Sequence, residues 1–352
     1  MILAAVTPRL PPPPEGVGTY ALDLAGELAR HGFSTHFLVP TDHAALAAEQ
    51  GLPVTALPPD AGALVAALEA LGGRTALVHY ANYGYAARGC PTWLVDGLKA
   101  WQRAGPERRL VTMFHELWAS GPPWTSSFWF SPVQRKLAGR LARASHAALT
   151  SLDLYADMLS HFLGERRARV VPVFSTVGEV AEPLPLAVRE RRLVIFGGRG
   201  ARHRAYTEMA AVVEAACRRL GLDEVVDIGP PLANPPRLPE VPVRPLGLAE
   251  AGELSAILAR SRAAFVAYPT SFLSKSTIFA AYAAHGVLPV CSWNGVEPEE
   301  ARARAPLVAG RHFWDPQSAE TPDEGIAAAA HAWYQGHRLE HQGALFAELL
   351  SA

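Results

Sequence analysis

Short apolar runs alternate along the first half of the chain with longer segments whose apolar residues recur at helical spacing. The runs have the length and composition of buried strands, and they read ILAAVTP, STHFLVP, TALVHYA and RLVTMFH. A helical face follows the first run, ends near Gly32 and consists of Leu22, Leu24, Ala25, Leu28 and Ala29. This alternation predicts parallel strands covered by helices.

The second half repeats the pattern. Strand-like runs read RLVIFGG, EVVDIG, AAFVAYP and LPVCSW, and the segments AYTEMAAVVEAACRRLG, LAEAGELSAILARS and STIFAAYAAHG are helix-like. Residues 175–192 are proline-rich and aperiodic, so we place the domain junction there. We expect an α/β protein with two facing, doubly wound, Rossmann-like domains, residues 1–175 and 176–330. The tail, residues 331–352, is expected to be helical and to pack back across the cleft between them, and Gly336 is a point at which the helix could break.

Charge and cysteine content narrow the classes of partner. The 32 basic residues nearly balance the 33 acidic ones, so no overall field points toward nucleic acid, and we expect no nucleic-acid partner. Cys90, Cys217 and Cys291 are too far apart in sequence to suggest a disulfide framework or a zinc site. No apolar stretch reaches the roughly 18 residues of a membrane span, and MILAAVTP lacks the basic region of a signal peptide. A cytoplasmic protein is expected.

A glycine turn follows the first predicted strand. Gly16, Gly18 and Ala21 satisfy the loose G-x-G-x-x-G/A pattern, and Asp42 ends the second strand, where a dinucleotide-binding protein holds a ribose. This pattern supports one alternative, an NAD(P)-dependent oxidoreductase of Rossmann type. However, the proline-rich residues 9–15 separate the strand from the glycines, which are therefore expected on a projecting loop. The glycines could equally serve only a tight turn before a helix.

Four segments, in order along the chain, carry a family resemblance. They are EGVGTYALDLAGELARHGFSTHFLVP, FGGRGARHR, VRPLGLAEAGELSAILARSRAAFVAYP and TSFLSKSTIFAAYAAHGVLPV. The chain resembles retaining glycosyltransferases of GT-B fold and family 4 type. The resemblance implies a UDP- or GDP-linked sugar as co-substrate, with no other cofactor, and a role for the Gly16 and Gly18 loop at the donor phosphates.

Basic residues in the second half match the donor diphosphate site of that family. Arg199 and Arg204 have the spacing of its arginine and lysine, and fixed cations stabilise a diphosphate leaving group as its charge grows. Arg202 lies in the same predicted loop without a counterpart and offers an internal control. A solvated basic turn is the alternative.

A second anion site is expected where the segment SFLSKSTIF precedes a helix. Lys275, Ser276 and Thr277 would combine a mobile cation with helix N-terminal N–H groups, although a serine there can serve only as a helix cap. The chain departs from the family nearby, since the paired glutamates fall at Leu273 and Ala281. This departure motivates another alternative, a glycan-binding or scaffolding protein that has lost catalysis.

Candidate residues in the first half follow predicted strands. The resemblance implies that His115 contacts the donor sugar, and Glu116 beside it is a polar contact or a base. Acceptor contacts are proposed, on the suitability of aromatic and amide groups for sugars, at Tyr80, Asn82 and Trp118. Packing explains these three equally well.

Two further sequence patterns bear on the metal requirement and on the acceptor. No D-x-D sequence occurs, so we expect a metal-independent hexosyltransferase with no metal ligands. The aromatic residues of TSSFWF adjoin the basic amphipathic segment SPVQRKLAGRLAR, a combination that suits anionic lipid headgroups. We expect a glycan, lipid-linked or small-molecule acceptor. We also expect peripheral contact with the inner face of a membrane and a role in polysaccharide biosynthesis. An ordinary domain helix is the alternative.

Overall fold

The computed structural model describes residues 1–11, 16–41 and 51–352. These form two compact units, one of residues 1–172 with 339–352 and the other of residues 173–338. The last helix of the chain thus belongs to the first unit. Asp42 and most of the proline run before Gly16 lie outside the described residues.

The first unit is built on a parallel sheet. Its described strands are β1 Ile2–Val6, β2 Ser34–Pro40, β3 Val54–Leu57, β4 Thr75–Tyr80, β5 Arg109–Phe114, β6 Ala147–Thr150 and β7 Arg169–Val170, in the order β3-β2-β1-β4-β5-β6-β7. Its described helices are α1 Gly16–Arg30, α2 Ala61–Ala70, α3 Asn82–Tyr85, α4 Thr92–Arg103, α5 Ser126–Ala144, α6 Asp153–Leu163 and, at the end of the chain, α13 Leu339–Ser351.

Side-chain alternation along β1 shows how the sheet is buried on both faces. Ala4 and Val6 enter one apolar cluster, and Ala5 enters a second cluster on the opposite face. Strand order reverses between β1 and β4, so the chain leaves their carboxyl ends in opposite directions. A binding crevice of a doubly wound sheet forms at such a reversal.

Helices α1 and α13 pack closely against each other. The Tyr20 hydroxyl donates a hydrogen bond to Gln342 Oε1 over 2.6 Å, and Gln342 Nε2 donates to the carbonyl of Pro172 over 2.6 Å. A Cβ atom added at Gly343 would lie 2.3 Å from Glu27 Cγ, so this approach requires glycine. The predicted tail is two helices with a break at Gly336, as the sequence allowed, since one helix ends at Gln335 and α13 begins at Leu339.

The second unit has a smaller parallel sheet of the same topology. Its described strands are β8 Glu190–Phe196, β9 Glu224–Ile228, β10 Val243–Gly247, β11 Ser261–Ala267 and β12 Leu288–Ser292, in the order β10-β9-β8-β11-β12. Its described α-helices are α7 Arg199–Thr207, α8 Ala210–Leu220, α9 Ala251–Arg260, α10 Thr277–Ala284, α11 Glu299–Ala303 and α12 Glu324–Gln335. The order reverses between β8 and β11, and α7 and the segment 270–277 follow these two strands.

Two local expectations are wrong. The single helix expected over residues 205–221 is two helices, because the basic segment after Gly198 is itself helical and α7 ends at Thr207. Likewise Gly16 and Gly18 lie in the first turn of α1 rather than on a loop, with Gly16 exposed and Gly18 buried. Both glycine-containing segments pass directly into helices, which shortens the loops that the sequence suggested.

Candidate functional site

Helix α7 carries three arginines, and one of them is committed to the core of the second unit. Arg202 Nε donates to Asp227 Oδ1 over 2.9 Å, Nη2 donates to Oδ2, and Nη1 donates to the Pro230 carbonyl. Tyr206 also donates to Asp227 Oδ1, over 2.9 Å. The Arg202 and Asp227 side chains are 3% and 0% exposed. Arg202 is therefore structural, and its proposed use as a neutral control is wrong.

Among the described residues, the other two arginines of α7 have no close carboxylate partner. Arg199 is exposed and donates from Nε to the Pro231 carbonyl over 2.9 Å. Arg204 Nη1 lies 3.4 Å from the Ala267 carbonyl, and its Nε is 3.9 Å from a Glu208 carboxylate oxygen. Arg199 uses one N–H in this bond and the Arg204 contacts are long, so both guanidinium ions keep N–H groups for an anionic ligand.

The Ala267 contact also joins Arg204 to the carboxyl end of β11, where the second candidate segment starts. Residues Thr270–Lys275 form a 3₁₀ helix, and Ser276 caps α10 by accepting a hydrogen bond at Oγ from the Phe279 N–H over 3.2 Å. Lys275 and Thr277 are half-buried. The capping alternative for Ser276 is thus realised, and it leaves other N–H groups of the α10 N-terminus for an anion.

Neither family glutamate has a polar replacement at its own position. Leu273 is 1% exposed and Ala281 is 0% exposed, and both belong to the apolar interior of the second unit. Other side chains must therefore contact the ribose and sugar if a donor binds.

Glu297 is a functional candidate that sequence reasoning missed. Its Oε1 accepts from the Thr270 N–H and hydroxyl over 2.9 and 3.1 Å, and its Oε2 accepts from the Ser271 N–H over 2.8 Å and from the Ser271 hydroxyl. Burial alone would raise the carboxyl pKa, but these hydrogen bonds outweigh it and lower the pKa. Glu297 fastens the loop after β12 to the 3₁₀ helix. Nothing local in the sequence signals a contact between residues 26 or 27 positions apart.

His115 in the first unit lies in a buried aromatic and polar cluster. It directly follows β5, and its Nε2 is 3.2 Å from Nδ1 of His79 on the neighbouring strand β4. The two imidazoles stack with centroids 5.4 Å apart, and the Tyr20 ring meets His115 edge-on at 5.0 Å. Burial lowers the pKa of His79 to about 3, so this ring is neutral at neutral pH. The N–H of one ring therefore donates a hydrogen bond to the ring nitrogen of the other.

The remaining candidates of the first unit differ in exposure. Glu116 is exposed and accepts a hydrogen bond from the Tyr155 hydroxyl over 3.2 Å. Trp118 is half-buried and packs edge-on against Phe162 at 6.2 Å. Tyr80 and Asn82 are buried, and the Tyr80 hydroxyl and Asn82 Nδ2 have no hydrogen-bond partner among the described residues. Their burial limits contact with a large acceptor, although their polar atoms are unsatisfied.

An exposed aromatic surface covers the start of α5. Its members are Trp124, Phe128, Trp129 and Val133, with Trp124 83% and Trp129 69% exposed. Trp129 Nε1 donates to the Pro123 carbonyl over 2.8 Å, which fixes the indole on this turn. Arg135, Lys136 and Arg143 are exposed further along the same helix.

The described residues contain neither a metal-binding cluster nor a membrane-spanning helix. Across residues 1–11, 16–41 and 51–352, no group of three or more His, Cys, Asp or Glu side chains is arranged to hold a metal ion. None of the helices in that part of the chain has the length and apolar character to cross a membrane.

The chain is similar to one protein family over part of its length and to several solved structures over nearly all of it. Residues 14–174 match the model of Glycosyltransferase Family 4. No curated protein sequence matches the chain significantly. Among solved structures, the chain resembles an alpha-glucosyltransferase (AGT) in complex with UDP, with a TM-score of 0.56 at 10% identity over 99% of this chain and 94% of that chain. An alpha-glucosyltransferase complex with UDP and a 13-mer DNA has a TM-score of 0.55, at 10% identity and the same coverage.

Two further structures have the same fold. MurG of Acinetobacter baumannii has a TM-score of 0.54 at 11% identity, over 99% of each chain. AviGT4, a glycosyltransferase involved in avilamycin A biosynthesis, has a TM-score of 0.51 at 16% identity, over 99% of this chain and 96% of that chain. The expectation of no nucleic-acid partner has no support from these comparisons, since one similar enzyme is bound to DNA.

The GT-B prediction is confirmed by the two parallel-sheet units and by these neighbours. The match over residues 14–174 favours glycosyl transfer over the oxidoreductase alternative. The chain has a GT-B fold, and its residues 14–174 match Glycosyltransferase Family 4.

Proposed function

We propose that this chain is a glycosyltransferase that uses a nucleotide-sugar. It binds the diphosphate of a UDP- or GDP-linked hexose through Arg199, Arg204 and the Lys275–Thr277 segment. The observation that carries the proposal is the contrast within α7. Arg202 is held in a bidentate ion pair by Asp227, whereas neither Arg199 nor Arg204 has a carboxylate oxygen closer than 3.9 Å among the described residues. Cations without a close internal counter-ion are suited to an anionic ligand.

The proposed reaction follows from the charge of the leaving group. As the bond from the anomeric carbon to the phosphate oxygen breaks, negative charge grows on the diphosphate, and preorganised cations stabilise it. The resemblance to retaining enzymes implies that the acceptor hydroxyl attacks from the face that the diphosphate leaves. The departing phosphate oxygen then takes the hydroxyl proton. His115 is assigned to orienting the sugar, and Glu116 to a polar contact.

The helix start at Gly16 and Gly18 is proposed as a further phosphate contact. Helix N-termini attract anions, and Gly16, at the start of α1, is open on its side-chain face, with no atom within 4 Å of an added Cβ. A phosphate could approach the backbone there without a steric clash.

Nucleotide binding is the direct test of the proposed donor site. UDP or GDP is expected to raise the melting temperature while NAD does not, since ligand binding to the native state alone stabilises it. A screen of nucleotide-sugars for transfer or hydrolysis then identifies the donor. Calorimetry that detects neither UDP nor GDP binding would instead favour the glycan-binding or scaffolding alternative raised by Leu273 and Ala281.

We also propose that the reaction needs no divalent metal, because the basic residues above supply the charge that a metal ion would supply. Transfer is expected to continue in EDTA at its rate in magnesium. Loss of transfer in EDTA with recovery in magnesium would contradict this assignment.

For the acceptor, we propose a lipid-linked molecule at an anionic membrane surface. The exposed Trp124 and Trp129 beside the basic residues of α5 support this choice. The DNA complex of one structural neighbour makes duplex DNA the comparison acceptor in the same transfer assay.

A further inference from the structure

The loop after β12, residues 293–297, touches both proposed phosphate-binding segments of the second unit. The guanidinium carbon of Arg204 lies 4.8 Å from the centroid of the Trp293 ring. At the other end of the loop, Glu297 holds Thr270 and Ser271 at the start of the 3₁₀ helix. One five-residue loop is therefore attached to α7 and to the segment that carries Lys275.

A second stacked pair in the same unit shows what is particular about Arg204. Arg219 lies over Trp314 at the same 4.8 Å, but its Nη1 and Nη2 donate to the carbonyls of Pro316, Ser318, Ala319 and Glu320. That arginine is fixed by hydrogen bonds as well as by stacking. For Arg204, whose hydrogen bond and ion pair are both long, the indole is the main close contact that orients the guanidinium.

The position of the Trp293 ring leaves its indole N–H without a hydrogen bond among the described residues. Its Nε1 is buried without a hydrogen-bond partner among the described residues, whereas Trp314 Nε1 donates to the Glu320 carbonyl over 3.0 Å. Gly295 packs on the same edge of the ring, since a Cβ atom added there would lie 2.6 Å from Trp293 Nε1. An unsatisfied buried donor is destabilising, so the position of this indole is not explained by stability.

From these contacts we infer that Trp293 is a positioning residue for the donor diphosphate. It holds the Arg204 guanidinium by stacking, so that the N–H groups remain available to phosphate oxygens. Gly295 leaves room for the ring, because a larger side chain at this position would clash with it. Glu297 anchors the loop that carries both. This inference rests on the proposed function, because it assigns Arg204 to the diphosphate.

The test compares binding of a nucleoside diphosphate and the matching monophosphate by calorimetry, with UDP and UMP or GDP and GMP as probes. Trp293→Leu, which removes the aromatic face, is expected to weaken diphosphate binding about 5- to 30-fold, the range of a desolvated cation–π contact. Monophosphate binding should change much less. Trp293→Phe keeps a ring face and removes the unsatisfied N–H, so it should restore most of the affinity with a melting temperature equal to wild type or higher.

Two further variants separate positioning from a folding defect. Gly295→Ala leaves the indole in the chain but displaces it, and it should reproduce the diphosphate-specific loss of Trp293→Leu. Adding Trp293→Leu to Arg204→Ala should weaken binding no further than Arg204→Ala alone, since both act on one contact.

The outcomes distinguish the inference from the proposed function. If Arg204→Ala weakens diphosphate binding and Trp293→Leu does not, the positioning role is wrong while the diphosphate site stands. Additive losses in the double variant, or equal losses for diphosphate and monophosphate, would also overturn it. If Arg204→Ala itself binds the diphosphate as wild type does, the assignment of Arg204 fails and the inference fails with it.

Discussion

Arg202 and Arg204 are two positions apart on α7, yet their environments give them opposite roles. Arg202 faces Asp227 inside the second unit, and Arg204 lies half-buried against Trp293. A buried ion pair mainly determines local structure, whereas a cation without a close counter-ion can bind a ligand. Substitution of Arg202 should therefore affect stability, and substitution of Arg204 should affect turnover.

Arg204→Ala is expected to lower turnover about 100- to 1,000-fold, because loss of one preorganised donor at a developing oxyanion costs about 2.7–4 kcal/mol. The melting temperature should change little, since a partly exposed arginine contributes little to folding. His203→Ala, at the adjacent exposed position, is the matched control and should keep wild-type turnover. Equal rates for the two variants would show that Arg204 does not contact the leaving group.

Arg202→Ala should instead destabilise the protein. Removing one partner of a buried pair leaves Asp227 charged and uncompensated, at a cost of about 3–5 kcal/mol. Denaturant unfolding followed by circular dichroism measures this loss. Arg191→Ala, which breaks an exposed ion pair with Asp223, should cost less than about 1 kcal/mol. A loss for Arg202→Ala as small as that for Arg191→Ala would contradict the structural role.

At the scale of elements, the 3₁₀ helix Thr270–Lys275 depends on a carboxylate from a loop beyond the next strand. Because the folded-state pKa of Glu297 is lowered from its usual 4.5, the charged form is favoured in the folded protein. The stabilisation that the Glu297 carboxylate gives to the folded protein is complete above the unfolded-state pKa. It is lost as the pH falls through the lower, folded-state pKa. Acid should therefore loosen the attachment of the loop to this helix.

Glu297→Gln is expected to have a lower melting temperature than wild type at pH 7, and the difference should shrink as the pH falls below the usual 4.5. Thermal unfolding monitored by circular dichroism at several pH values measures the difference. Glu300→Gln, an exposed position in the following helix, should track wild type throughout. A gap between Glu297→Gln and wild type that is constant with pH would exclude the charge of Glu297 as its cause.

For the whole molecule, the proposed acceptor depends on the exposed aromatic surface at the start of α5. Wild type should bind anionic phospholipid vesicles more strongly than neutral ones, and binding should weaken as salt is raised, because ions screen the basic side chains. The double substitution Trp124→Ser and Trp129→Ser should reduce binding to anionic vesicles in a sedimentation assay. Leu248→Ser, at an exposed apolar position of the second unit, should not. Equal binding to neutral and anionic vesicles would remove the lipid proposal.

Local patterns in the sequence determined much of the architecture. The strands β1, β2, β4, β5, β8, β9, β11 and β12 were all indicated by apolar runs, because a buried parallel strand needs several consecutive apolar residues. Two β/α halves followed from the repeated alternation. Strand β3 and helix α2, which follow the undescribed residues 42–50, were not predicted, since their short apolar stretches carry weaker periodicity.

The partners of the charged and aromatic residues were decided by the tertiary structure alone. The sequence indicated Arg199, Arg202 and Arg204 as one basic segment, and only the placement of β9 beside β8 brought Asp227 to Arg202. The contacts of Trp293 with Arg204 and of His79 with His115 depend in the same way on chain folding. Apolar periodicity is a local property that burial imposes on each element, whereas pairing between distant side chains depends on which strands become neighbours.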